Sequence, residues 1–224
     1  MADERAPNAR LVIADPHPVV RAAIRLSCQA VAGLDVVDEV DSTAGLLVSC
    51  RTLRPDVAVL DLAMDEGFDT IRAIRADGVA GSIVVLTDLT NGTAVLGALR
   101  LGVGGYLIKS SALPAVGERI LDVIAGERVI SPEVERIAVV ELGRFAQQAR
   151  EGSELRATLT PREQEVLVLI GEGLTMRQMA TRLGISPRTV ETHVAKLYRK
   201  LEVRTRVQAI SRAVALGLID FDRP

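Results

Sequence analysis

Along the first 125 residues, short β-branched runs alternate with longer stretches whose apolar residues recur at helical spacing. The short runs lie at 11–14, 35–37, 57–60, 83–86 and 105–108. Several, such as Val57-Ala58-Val59-Leu60, are apolar at every position rather than at every second one. A strand wetted on one face alternates, and a strand covered on both faces does not. These runs therefore predict a parallel sheet between two helical layers. The intervening stretches, 18–32, 42–54, 69–77, 92–102 and 112–126, predict the covering helices. Five βα units in succession make a doubly wound, five-stranded parallel sheet of the α/β class.

The pattern changes after residue 126. Ser131-Pro132 has the form of an N-cap followed by proline at the first helical position. From there to about residue 148, Val134, Ile137, Ala138 and Leu142 fall on one side of a helix. The polar Arg150-Glu151-Gly152-Ser153-Glu154 interrupts the pattern and predicts a short flexible joint. Four short helices follow. Thr160-Pro161-Arg162-Glu163 and Thr175-Met176-Arg177-Gln178 are capping boxes, separated by Gly171-Glu172-Gly173. Gly184-Ile185-Ser186 is a tight turn, Pro187 opens the third helix, and Arg204-Thr205 opens the fourth. The expected organisation is an α/β domain at 10–126, a linker helix and joint at 127–157, and a small all-α domain at 158–220.

Composition narrows the chemistry. Apolar residues make up 48% and aromatic residues only 2%, so the core is aliphatic and no ring platform exists for stacking single-stranded nucleic acid. The two cysteines, Cys28 and Cys50, form neither a CxxC nor a zinc pattern. The polar start from Met1 to Arg10 shows no signal peptide, and no run approaches the roughly 18 apolar residues of a membrane span. A cytoplasmic protein without a membrane partner is the expectation. The net charge of −2 hides a division: residues 1–152 carry −6 and residues 153–224 carry +4. An acidic body with a basic C-terminal part points to a polyanion as the partner of that part.

Within the basic part, 175–183, a turn at 184–186 and 187–201 have helix-turn-helix proportions. Val190, Val194, Leu197 and Leu201 make the inward stripe of the second helix. The opposite face offers Arg188, Glu191, Thr192, Ala195, Lys196, Arg199 and Lys200. Small and polar residues near the start suit base edges, and the cations further along suit phosphates. With Thr175 and Thr189 these residues are the candidate contacts to double-stranded DNA. His193 lies beside the inward stripe and is expected to pack at the rim. One histidine makes no metal site, and the only other is His17. Tyr198 is expected in the core or an interface. In the fourth helix, Val207, Ile210 and Val214 read as the inward stripe, leaving Ala209, Ala213 and Leu216 for a partner helix in a dimer.

The stretch Leu159-Thr160-Pro161-Arg162-Glu163-Gln164-Glu165-Val166-Leu167, with Gly171-Glu172-Gly173-Leu174-Thr175 and Ile185-Ser186-Pro187-Arg188-Thr189-Val190-Glu191-Thr192-His193-Val194, resembles the LuxR/GerE-type DNA-binding domain.

In an open parallel sheet, ligands sit at the carboxyl ends of the strands where the winding direction switches. Asp15 follows the first strand and Asp61 the third, while Thr87 ends the fourth and Lys109 follows the fifth. A carboxylate nucleophile, a second acid, a hydroxyl and an ammonium on one rim suit phosphoryl transfer to Asp61. The carriers Leu11-Val12-Ile13-Ala14-Asp15, Asp56-Val57-Ala58-Val59-Leu60-Asp61, Val85-Leu86-Thr87 and Gly105-Tyr106-Leu107-Ile108-Lys109 resemble the flavodoxin-like receiver domain of two-component response regulators. Together the two parts resemble the NarL/FixJ family end to end.

That resemblance implies Asp61 as phosphoacceptor, Thr87 and Tyr106 as a switch pair, Lys109 as the pocket lysine, and Mg²⁺ held in part by Asp15 and Asp61. Two positions depart from it. Pro16 stands where the family supplies a second acid that ligates the metal, and Met64-Asp65-Glu66-Gly67-Phe68 is about one residue longer than the usual loop. Asp65 or Glu66 is a possible replacement ligand. The leading expectation is a DNA-binding transcription regulator whose receiver works without efficient Mg²⁺-dependent phosphorylation. The alternative is a conventional regulator phosphorylated on Asp61 by a sensor histidine kinase. An Asp61-dependent phosphatase is disfavoured, because the chain has no insertion to cap a site and an enzyme has no need of the basic part. A pure protein-interaction module is the remaining class. A homodimer is expected, with a heterodimer of related regulators the alternative.

Overall fold

The computed structural model describes residues 8–219. The start at 1–7 and Asp220, the last residue of the expected helical domain, lie outside the described residues. Two compact units divide between Leu142 and Gly143.

In the first unit, β1 (Ala9–Ala14), β2 (Leu34–Val40), β3 (Val57–Leu60), β4 (Ser82–Thr87), β5 (Gly105–Ile108) and β6 (Val129–Ile130) form one parallel sheet in the order β2-β1-β3-β4-β5-β6. The helices are α1 (Pro18–Gln29), α2 (Thr43–Leu53), α3 (Gly67–Asp77), α4 (Gly92–Arg100), the short α5 (Lys109–Ala112) and α6 (Val116–Ile124). Every residue of β3 and β5 is buried, as expected for strands covered on both sides. The sheet has six strands rather than five. Val129 and Ile130 pair with Gly105 and Tyr106 as an edge strand, and two residues are too few to register as a period. The stretch expected as one helix at 112–126 contains Pro114, and a 3₁₀ turn at Leu113–Ala115 separates α5 from α6.

The long helix α7 (Pro132–Thr158) corrects the expected joint, because residues 150–154 continue the helix. The reason lies in packing within the second unit. Gly152 sits so close to Leu216 that a Cβ would fall 2.0 Å from the Leu216 carbonyl oxygen. Glu151 pairs with Arg212 at 2.5 Å, and Arg150 pairs with Glu154 one turn on at 2.9 Å. The glycine permits a close approach rather than breaking the helix.

The remaining helices are α8 (Pro161–Gly171), α9 (Met176–Leu183), α10 (Pro187–Lys200) and α11 (Arg206–Ala215). Thr160, Thr175 and Thr205 each close a capping box. Gly184 ends α9 in the left-handed region at φ 65°, and Ser186 caps α10 directly behind it. Their core joins Val166, Leu167, Ile170, Met179, Val190, Val194, Leu197 and Leu201, so the inward stripe read for α10 is the buried one. The stripe read for α11 is reversed. Ala209 and Ala213 are fully buried and Leu216 nearly so, whereas Val207 is 74% and Val214 44% exposed. Ile210 is only partly buried. Alanine brings α11 close to α8, and closeness outweighs side-chain size in choosing the face.

Gly152→Ala separates the two readings of that residue. A joint or an open helix position would gain roughly 1 kcal/mol from alanine's helix propensity. The contact with Leu216 instead predicts a net loss of about 1–3 kcal/mol, read by urea denaturation of the full chain.

Candidate functional site

The register of the sheet builds the pocket. Ala14 of β1 is paired with Leu60 of β3, so the next residues, Asp15 and Asp61, emerge side by side. The ladder runs one step further, as the Asp61 N–H donates to the Ala14 carbonyl at 2.9 Å. The chain leaves β1 toward β2 and returns through β3 on the other side, so this is the switch point of the winding. On the far side, Thr87 is paired with Ile108, which puts Lys109 at the same rim.

Asp15, Asp61, Thr87 and Lys109 are all buried. Lys109 Nζ donates to Asp15 Oδ2 and to Asp61 Oδ2, each at 2.6 Å. Asp61 Oδ1 accepts from the Ala63 N–H at 3.0 Å. Burial pushes the Asp61 carboxyl up, but hydrogen bonds from Lys109, the Ala63 N–H and the Thr87 hydroxyl outweigh it, and the result lies below the usual carboxylate range. Burial likewise pushes Lys109 down, while its bonds to Asp15 and Asp61 win and raise it. Asp61 is therefore ionised and Lys109 protonated at neutral pH.

Tyr106 is fully buried, and its hydroxyl donates to the Leu89 carbonyl at 2.7 Å. The Leu89 N–H donates to Thr87 Oγ1 at 3.3 Å. The backbone of one residue thus joins Thr87 to Tyr106. Burial, with the nearby Asp61 charge, pushes the Tyr106 phenol up to about 12.

Asp15 is fixed from its other side. Its Oδ1 accepts from the His17 N–H at 2.8 Å and meets His17 Nδ1 at 3.2 Å, while Arg21 donates to its carbonyl at 2.6 Å. Asp15, His17 and Asp61 offer ligand atoms that all lie within 4.8 Å of one another. His17 stands with the two carboxylates in this group, and Asp65 and Glu66 lie exposed outside it. Asp65 instead offers its carbonyl to the Thr43 hydroxyl at 3.0 Å. The signal for His17 was its place two residues beyond Asp15, the spacing at which an aspartate oxygen meets the following backbone.

The second candidate site is the outer face of α10. Arg188, Thr189, Glu191, Thr192, Ala195, Lys196 and Arg199 are exposed there, as is Thr175 at the cap of α9. Arg188, Lys196 and Arg199 make no ion pair among the described residues, which leaves their charge to solvent or a ligand. Lys200 does not belong with them. Its Nζ donates to Glu163 Oε2 and to the Thr158 carbonyl, both at 2.7 Å. Glu163 is buried because its carboxylate closes the Thr160 capping box, and Lys200 neutralises it. His193 and Tyr198 are partly buried, at the rim and against the core.

Comparison with known proteins matches residues 11–121 to the response regulator receiver domain and residues 157–213 to the bacterial regulatory proteins of the luxR family. The response regulator VraR of Staphylococcus epidermidis is 30% identical over 212 residues, covering 94% of this chain and 98% of that protein. The nitrate/nitrite response regulator NarP of Escherichia coli is 34% identical over 202 residues, covering 89% and 92%. RcsB of Salmonella enterica serovar Typhimurium, solved bound to a promoter, aligns with a TM-score of 0.56 at 25% identity over 93% of this chain and 99% of that one. RcsB has also been solved as two dimers bound to two parallel DNAs.

Lys109→Met leaves two buried carboxylates side by side without their cation, at an expected loss of about 3–5 kcal/mol at pH 7. The pH trend gives the sign. In the wild type the lowered Asp61 pKa stabilises the fold above the ordinary carboxylate range, and this is lost as pH falls through the folded pKa. In the variant two buried carboxylates repel without their cation, and acid, by neutralising charge there, relieves the repulsion. Denaturation at pH 7 and pH 4.5 should show the gap between the two proteins narrowing toward the lower pH.

Proposed function

The chain belongs to the NarL/FixJ family of response regulators, a receiver domain followed by a LuxR-family regulatory domain, and from that premise we propose that it binds double-stranded DNA as a dimer through α10, with a receiver that acts without efficient Mg²⁺-dependent phosphorylation of Asp61. Members that pair these domains are transcription factors, not enzymes. The observation that carries the DNA-binding reading is the outer face of α10. Arg188, Lys196 and Arg199 line one side of a helix whose other side is locked into the core. The cations supply sequence-independent attraction to phosphates, and Thr192, Ala195 and Glu191 are short enough to meet base edges, Glu191 accepting from a cytosine amino group. The relatives solved on DNA support this reading, and a homodimer fits it best.

The receiver reading rests on the donors at the pocket. Mg²⁺ takes an octahedral shell of oxygens. Here position 16 is a proline, the third nearby donor is the His17 nitrogen, and the Lys109 ammonium already bridges both carboxylates. This donor set fits Mg²⁺ poorly. Without the ion, Lys109 is the cation at hand to meet charge building on the phosphoryl oxygens during transfer to Asp61. No helix among the described residues is long and apolar enough to cross a membrane, in keeping with a regulator that meets DNA in the cytoplasm.

Two measurements test these readings. Lys196→Ala should weaken binding to every duplex alike and reduce the slope of log affinity against log salt by about one, with stability unchanged. Lys200→Ala should instead lower stability by about 1–3 kcal/mol, because it strips the partner from buried Glu163. For the receiver, intact mass after treatment with a small-molecule phosphodonor and Mg²⁺ should show little adduct, and Asp61→Asn should leave DNA affinity nearly unchanged. Stoichiometric phosphate on the wild type, absent from Asp61→Asn, would establish the conventional kinase-driven regulator instead.

A further inference from the structure

We propose that Glu141 of α7 and Gly92 of α4 form a latch that couples the seating of α7 on the first unit to the bond between Tyr106 and Leu89. The inference holds whether or not Asp61 is phosphorylated, and its test needs neither phosphodonor nor DNA. Every residue of the latch lies in the first unit.

The contact itself is close. A Cβ on Gly92 would lie 2.8 Å from both Cδ and Oε2 of Glu141 and 2.9 Å from its Cγ. The Glu141 side chain therefore rests directly on the backbone of Gly92, the first residue of α4 after its Asn91 cap. Gly92 does not take a positive φ, so the approach of Glu141, not a turn, calls for glycine here. The first N–H groups of a helix have no partner within it, and that end carries partial positive charge. A carboxylate placed there is attracted to it.

The latch closes a ring of contacts that starts and ends at Tyr106. On one side, the Tyr106 hydroxyl donates to the carbonyl of Leu89, three residues before Gly92. On the other, the Tyr106 carbonyl accepts from the Ser131 N–H at 3.0 Å, and Ser131 Oγ accepts from the Ile108 N–H at 3.1 Å. The residue just before α7 is thus pinned to β5 twice. From there α7 runs as a stiff strut, with Val134 and Ala138 buried. Residues 132–141 span about 15 Å, and at the end of that span Glu141 meets Gly92. A ring with one rigid side cannot shift at one contact without straining another. When Leu89 leaves Tyr106, the start of α4 moves and Glu141 loses its seat. Because Leu89 is also bonded to Thr87, the ring is tied to the pocket. Coupling of this kind is reciprocal, so loosening Glu141 also frees the loop at Leu89.

The test is amide hydrogen exchange of the full-length protein in residues 88–96 and 134–142, each read relative to Val57–Leu60 of β3. Gly92→Ala displaces only the flexible end of the Glu141 side chain, so the fold survives while the latch opens. It should speed exchange in 134–142 by about fivefold or more. Tyr106→Phe, which removes only the hydroxyl, should speed the same segment by a similar factor. Glu141→Ala should speed 88–96. With alanine already at position 92, Tyr106→Phe should add nothing at 134–142, because the latch is open before the hydroxyl is lost. The proposal is overturned if Gly92→Ala or Tyr106→Phe leaves 134–142 at the wild-type rate, or if Glu141→Ala leaves 88–96 there. It is equally overturned if Tyr106→Phe acts on 134–142 as strongly with alanine at 92 as with glycine. A general loosening that speeds β3 by the same factor also refutes it.

Discussion

Lys109 makes it possible for two carboxylates to be buried together. Asp15 and Asp61 emerge side by side because β1 and β3 are adjacent and in register, and like charges in a dry pocket would otherwise drive one of them to take up a proton. The ammonium 2.6 Å from each removes that conflict and fixes the oxygens it does not touch. Ala63, His17 and Thr87 surround the pocket from the strand ends and the loops behind them. The helical unit meets a similar constraint in the same way. Glu163 is buried to complete a helix cap, and Lys200 neutralises it. In both units a lysine neutralises a buried carboxylate.

The scarcity of aromatic rings shapes the rest of the core. With few rings to fill space, elements gain contact by approaching closely, which favours small residues where they cross. Gly152 against Leu216 and the buried Ala209 and Ala213 of α11 are instances. Larger valines at positions 207 and 214 remain at the surface, because an exposed apolar side chain costs less than a helix held away from its neighbours. Burial also sets the chemistry of the cysteines. Cys28 and Cys50 are free and buried, and burial pushes each thiol up to about 11, which keeps them protonated and unreactive.

Two neighbouring residues shape the rim of the pocket beside Asp15. Proline at 16 stiffens the loop, and His17 follows it at the N-cap of α1 with its N–H bonded to Asp15. The pocket is carried on loops at the ends of a rigid sheet, where side chains vary without disturbing the fold.

The sequence by itself determined the parallel sheet, most helices, their caps, and the four residues at the strand ends. Those features depend on local periodicity and on a topological rule that needs no coordinates. The α10 face was legible for the same reason, since a stripe of four apolar residues fixes what lies opposite. Tertiary structure decided the matters that turn on distance between residues far apart in the chain. Lys200 was assigned to phosphate because its partner Glu163 lies 37 positions away. Gly152 was taken for a breaker because Leu216 was out of sight, and α11 was turned over because size stood in for proximity. His17 joined the pocket only when the sheet brought Asp61 beside Asp15. Periodicity tells a helix which residues share a face, but only packing against a neighbour decides which face is covered and which charge is already spent.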